Sequence, residues 1–162
     1  MKFFKVFSVF LALLIVSCST TVDISNKKLT KKATYGVVPF YNFTETPMAG
    51  LRASHIVEGV LRAKGYRVLN RHWKENEDLS SDEIKMLIKE LSHKGADFII
   101  GGTVNEWRYK TGIDGEPAVS LTIYILDVNQ NKIVWSGTLS RSGLSYESIG
   151  TTAQKLVEKV IR

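Results

Sequence analysis

A chain of 162 residues, 44% of them apolar, is long enough for one domain with an adequate core of its own. Its 22 Lys and Arg against 16 Asp and Glu give a formal charge of +6, but six lysines and a single Asp precede residue 34. The remainder carries 16 basic against 15 acidic residues, too even a balance for the basic face that nucleic-acid recognition requires. Cys18 is the single cysteine, so an intrachain disulfide, a thiol nucleophile downstream and a Cys-based zinc site are all excluded. His55, His72 and His93 lack metal-ligand spacing, and neither a metal nor a cofactor is expected.

Residues 1–17 open with Lys2 and Lys5 and continue as an apolar run from Val6 to Val16, broken only by Ser8. The run is too short for a membrane-spanning helix, which needs about 20 apolar residues, and reads as an export signal. Ile15-Val16-Ser17-Cys18 resembles the lipobox of bacterial lipoproteins. That resemblance implies that Cys18 becomes the acylated first residue of the mature protein, and that Ser19, in place of an Asp, directs it to the outer membrane. More than one acyl chain is needed for stable anchoring. Residues 18–33 then read as the lipidated Cys and a polar, basic tether without sustained periodicity, able to reach roughly 50 Å if fully extended.

The domain is expected from residue 34 to 162. Residues 33–40 form a strand-like run ended by Pro39, and Tyr41 to Glu45 a polar loop in which Asn42-Phe43-Thr44 serves as a turn or cap. Thr46 offers an N-cap with Pro47 at the first helical position. Ala53, Ile56, Val57, Val60 and Leu61 follow at helical spacing until Gly65. Residues 66–69 are short and β-like. After a charged loop carrying Trp73, Ser80 to Glu83 form a capping box for a helix whose inner face is Ile84, Leu87, Ile88 and Leu91. Residues 97–110, 118–128 and 132–142 are three long strand-like runs, an antiparallel meander. In the last, Ile133, Trp135, Gly137 and Leu139 share one face. A third helix, with Ser145 as its N-cap, carries Ile149, Ala153, Leu156, Val157, Val160 and Ile161 at helical spacing. The order β-α-β-α-β-β-β-α predicts an α+β sandwich with a mixed sheet covered by helices.

No catalytic constellation emerges, and an enzyme is not expected. Ser145, His93 and Asp97 lack any motif that would join them as a triad. Gly101-Gly102 runs into a strand with no following Lys-Ser/Thr, so close packing explains the pair better than phosphate binding. Trp73, Trp107 and Tyr109, with Asp114 and Glu116 in the loop from Thr111 to Pro117, are the candidates for partner or membrane contact. Trp135 reads as core.

Three stretches carry a resemblance: residues 37–44 (Val-Val-Pro-Phe-Tyr-Asn-Phe-Thr), residues 95–104 (Gly-Ala-Asp-Phe-Ile-Ile-Gly-Gly-Thr-Val), and Leu126-Asp127-Val128 with residues 132–136. Together they resemble a family of outer-membrane lipoproteins. It includes the curli secretion channel lipoprotein, the lipoprotein activators of penicillin-binding proteins and the Pel exopolysaccharide lipoprotein, with domains similar to the TolB N-terminal domain. The resemblance implies a periplasm-facing, outer-membrane-anchored, non-enzymatic component of an envelope export assembly, a homo-oligomeric ring of the Pel type. The alternative it leaves open is a regulator of a peptidoglycan synthase. No pore-forming insertion is visible, which separates the chain from the curli channel.

Overall fold

The computed structural model describes residues 20–24, 29–71, 73, 76–112 and 115–161. The export signal, Cys18 and Asp114 lie outside the described residues. Ten elements follow in order: β1 (Thr20–Ile24), β2 (Thr34–Val37), β3 (Tyr41–Asn42), α1 (Ala49–Ala63), β4 (Arg67–Val68), α2 (Ser81–His93), β5 (Phe98–Tyr109), β6 (Pro117–Asp127), β7 (Lys132–Ser142) and α3 (Ile149–Val160). The strands form one mixed sheet in the order β1-β7-β6-β5-β2-β4, with β3 also on β5. β5, β6 and β7 make the expected antiparallel meander, while β2 and β3 run parallel to β5. The α+β class read from the sequence is the one observed.

Alternation along the strands sorts the core into two layers. Ile100, Val104 and Trp107 of β5, Val119, Leu121, Ile123 and Ile125 of β6, and Trp135 and Leu139 of β7 face α1 and α3. The opposite face is apolar only near Ile99 and Leu126, where Ile84 and Leu91 of α2 cover it together with Val38. At roughly 1.5–3 kcal/mol for each fully buried aliphatic side chain, the first layer supplies most of the stabilisation. The second leaves half of its sheet face open.

Local chemistry explains the element boundaries. Ser80 accepts the Glu83 N–H, and the Glu83 carboxylate takes the Ser80 N–H at 2.8 Å, the capping box expected of α2. Gly65 (φ 79°) and Gly95 (φ 90°) end α1 and α2, where the Tyr66 and Ala96 N–H groups reach back to the carbonyls of Leu61 and Leu91. Gly102 lies where a Cβ would sit 2.1 Å from the Thr122 carbonyl oxygen and 2.7 Å from the Phe40 ring, so close packing accounts for it as expected.

Five expectations need correction. The stretch read as a structureless tether contains β1, because Thr20, Thr21, Val22 and Ile24 are β-branched and β7 would otherwise end the sheet with an unpaired edge. The loop from Tyr41 begins with β3. Thr46 does not cap α1: its hydroxyl donates to the Trp107 carbonyl at 2.6 Å, the N-cap is Met48 in the left-handed region (φ 58°), and the Asp78 carboxylate takes the Met48 N–H at 3.1 Å. Ser148, not Ser145, caps α3 by accepting the Thr151 N–H at 3.1 Å. Ile133 is 53% exposed, because a register shift in the β6–β7 ladder around Val134 puts it out of phase with Trp135.

Candidate functional site

The antiparallel ladder sets Thr20 opposite Arg141 and Ile24 opposite Gly137. The chain therefore joins the sheet at the end where β7 finishes, where β5 hands over to β6, and where α1 and α3 begin. This entry end is fastened by one charged cluster. The Arg141 guanidinium donates to the Thr20 hydroxyl at 3.2 Å and to the Glu147 carboxylate at 3.4 Å. Glu147 is buried and also accepts from the Lys155 ammonium and from the Leu144 N–H. The Lys155 hydrogen bond above all, with Arg141 and the Leu144 N–H, holds the Glu147 carboxyl below the usual carboxylate range, against burial that works in the other direction. One side chain thus ties β7 to α3, and Arg141 extends the tie to β1.

Around this cluster the surface turns aromatic. Tyr109, the last residue of β5, is 51% exposed, and Tyr146, between β7 and α3, is 82% exposed. Tyr109 shares an open groove of about 500 Å³ with Arg52 and His55 of α1 and Ile149 of α3. A second groove, of about 660 Å³, is lined by Phe43, Asn105, Arg108 and Ser120. Trp107 borders both. The cations of the β5–β6 hairpin are matched locally: Arg108 pairs with Glu106 at 2.8 Å and Lys110 with Glu116 at 3.2 Å.

The residues nominated from the sequence divide in this frame. Tyr109 stands at the entry end, exposed, and Glu116 beside it holds Lys110. Trp107 belongs to the same end but is only 3% exposed, packed in the core beneath the two grooves. Trp73 is half-buried in the loop between β4 and α2, its indole N–H without an acceptor among the described residues. Trp135 is core, as expected. Tyr146, Phe43, Arg141 and Glu147 were not nominated. For Tyr146 the available signal was an aromatic set in a polar turn; for the ion cluster there was none, since its members come from separate elements.

The chemistry of this end is that of contact. Ser145 lies here, whereas His93, at the C-terminus of α2, and Asp97, which accepts the Thr34 N–H at 2.7 Å, lie at the far end of the sheet, so the three form no triad. Among the described residues no three His, Cys, Asp or Glu side chains gather where they could hold a metal, and no helix is long and apolar enough to cross a membrane.

No protein-family model matches the chain, and no curated protein sequence matches it. Solved structures do. The PelC dodecamer from Paraburkholderia phytofirmans is 33% identical, with 88% of this chain covering 96% of that one at a TM-score of 0.72. A variant of the same protein is 34% identical at a TM-score of 0.74 over the same shares. Lipoprotein GNA1162 from Neisseria meningitidis, 24% identical, covers 80% of this chain and 95% of that chain at a TM-score of 0.56, and shares the fold. With a third of its residues matched along nearly the whole of PelC, and a sheet, helices and open grooves of the expected kind, this chain belongs to the PelC family of Pel exopolysaccharide lipoproteins.

Proposed function

We propose that this protein is a lipid-anchored, non-enzymatic subunit of an exopolysaccharide export assembly at the outer membrane, working as a ring of identical copies. The observation that carries the reading is the match along 96% of PelC, a protein solved as a dodecamer. The sequence contributes the lipobox ending at Cys18, and the fold contributes an orientation. Ser19 alone separates Cys18 from Thr20, the first residue of β1, and one residue spans at most about 3.6 Å.

Acyl chains on Cys18 would therefore leave the domain at the entry end and press that end against the bilayer. Tyr109 and Tyr146 are then placed at head-group depth, where aromatic side chains with a polar tip are favoured. The same geometry weighs against a synthase regulator. With β1 folded into the sheet, no long tether is left to carry the domain across the periplasm toward a distant enzyme.

The test is complementation of a deletion strain. Wild type restores surface exopolysaccharide, and Cys18→Ser, released from the membrane fraction, does not. A Cys18→Ser protein that stays in the outer membrane and restores secretion would sink the reading.

A further inference from the structure

The sheet face that α2 leaves uncovered carries an ordered band of uncharged polar groups. Tyr41 and Phe43 stand on it two residues apart, their ring centroids 6.5 Å from each other and their planes inclined by 10°; Phe43 is 71% exposed. Beside them on β5 the Thr103 hydroxyl donates to the Asn105 carbonyl oxygen at 2.9 Å, and the Asn105 amide donates to the Thr122 hydroxyl of β6 at 3.1 Å. The Thr122 and Thr138 hydroxyls pair at 3.2 Å, carrying the chain of contacts to β7. One step nearer the entry end, Ser120 and Ser140 pair at 2.8 Å. The band opens into the 660 Å³ groove, a size usual for ligand sites, and the charges at its rim, Glu106 and Arg108, neutralise each other.

This combination discriminates between occupants. A charged polymer finds no unmatched opposite charge along the band. An apolar helix or an acyl chain would strip water from at least six hydroxyl and amide groups without replacing their hydrogen bonds. A sugar chain satisfies both parts, since each pyranose ring offers a C–H face to stack on an aromatic and a rim of hydroxyls to exchange with Thr, Ser and Asn. Neighbouring strands are about 4.8 Å apart, close to the length one pyranose adds to an extended glycan.

We propose that this band binds a neutral, extended glycan chain, laid across the strands from Phe43 toward Thr138. Its source, the polymer being exported, rests on the function proposed above; the binding itself does not. The test is calorimetric titration of the full-length lipidated protein, in mild detergent, with cellohexaose and with the hexamer of N-acetylglucosamine, native mass being recorded for every variant. At least one hexasaccharide binds saturably. Phe43→Ala weakens that binding tenfold or more, Phe43→Trp retains it, and Asn105→Ala weakens it severalfold, all at unchanged native mass. Phe43 is too exposed for its loss to threaten folding.

Absence of binding by both sugars would overturn the proposal, as would binding indifferent to Phe43→Ala and Asn105→Ala. A drop in native mass on Phe43→Ala without sugar binding would also overturn it and assign the face to contact between copies. A monomeric protein that still binds sugar through Phe43 would support the glycan face while refuting the ring.

Discussion

Glu147 meets more polar partners than any other carboxylate at the entry end, and its ionisation is coupled to folding. Its folded value lies below the ordinary one, so its contribution is complete above roughly pH 4.3 and is lost as pH falls through the lowered folded value. Glu147→Gln should lower Tm at pH 7 and flatten the fall of Tm with acid below roughly pH 4.3. An acid profile parallel to wild type would show that the cluster does not stabilise the fold. Gly102 makes a different demand, because a methyl group there meets the Thr122 backbone carbonyl and the Phe40 ring, neither free to withdraw. Gly102→Ala should cost about 1–3 kcal/mol through overpacking, read as a lower denaturant midpoint at unchanged slope. An unchanged midpoint would contradict the packing described. The need for Gly102 was visible in the sequence as a glycine pair inside a strand. Glu147 was not, since Arg141 and Lys155 reach it from β7 and α3.

Among the elements, those whose pattern repeats over several turns or many strand positions were legible: α2, α3 and the β5–β6–β7 meander fall within a residue or two of their expected bounds. β1 and β3 were not, because five and two residues carry too little alternation to show a period, and what makes them strands is the edge offered by β7 and by β5. The start of α1 was misread for a related reason. Thr46-Pro47 has the composition of a cap, but tertiary structure diverts Thr46 to the Trp107 carbonyl and supplies Asp78 in its place. The role of β1 is directly testable. Removing residues 20–24 should leave the helix-covered core folded but expose the β7 edge, giving faster amide exchange along β7 and concentration-dependent aggregation. Exchange along β7 equal to that of the intact chain would show that β1 does not pair there.

For the molecule as a whole, the placement of β1 turns a statement about compartment into one about orientation. The anchor proposed at Cys18 and the exposed Tyr109 and Tyr146 fall at one end of the sheet, and the β6–β7 turn at Val128–Asn131 falls at the other. In vesicles, the lipidated protein should show slowed amide exchange at Tyr109, Lys110 and residues 143–148 relative to detergent, with residues 128–131 unchanged; equal slowing at both ends would contradict the orientation. The central claim, that copies of this chain work together as a ring at the outer membrane, is tested most directly by the native mass of the lipidated protein extracted in mild detergent. A single high-order species, ring-shaped by negative-stain imaging, is the expected result. A strictly monomeric species across micromolar concentrations would contradict it.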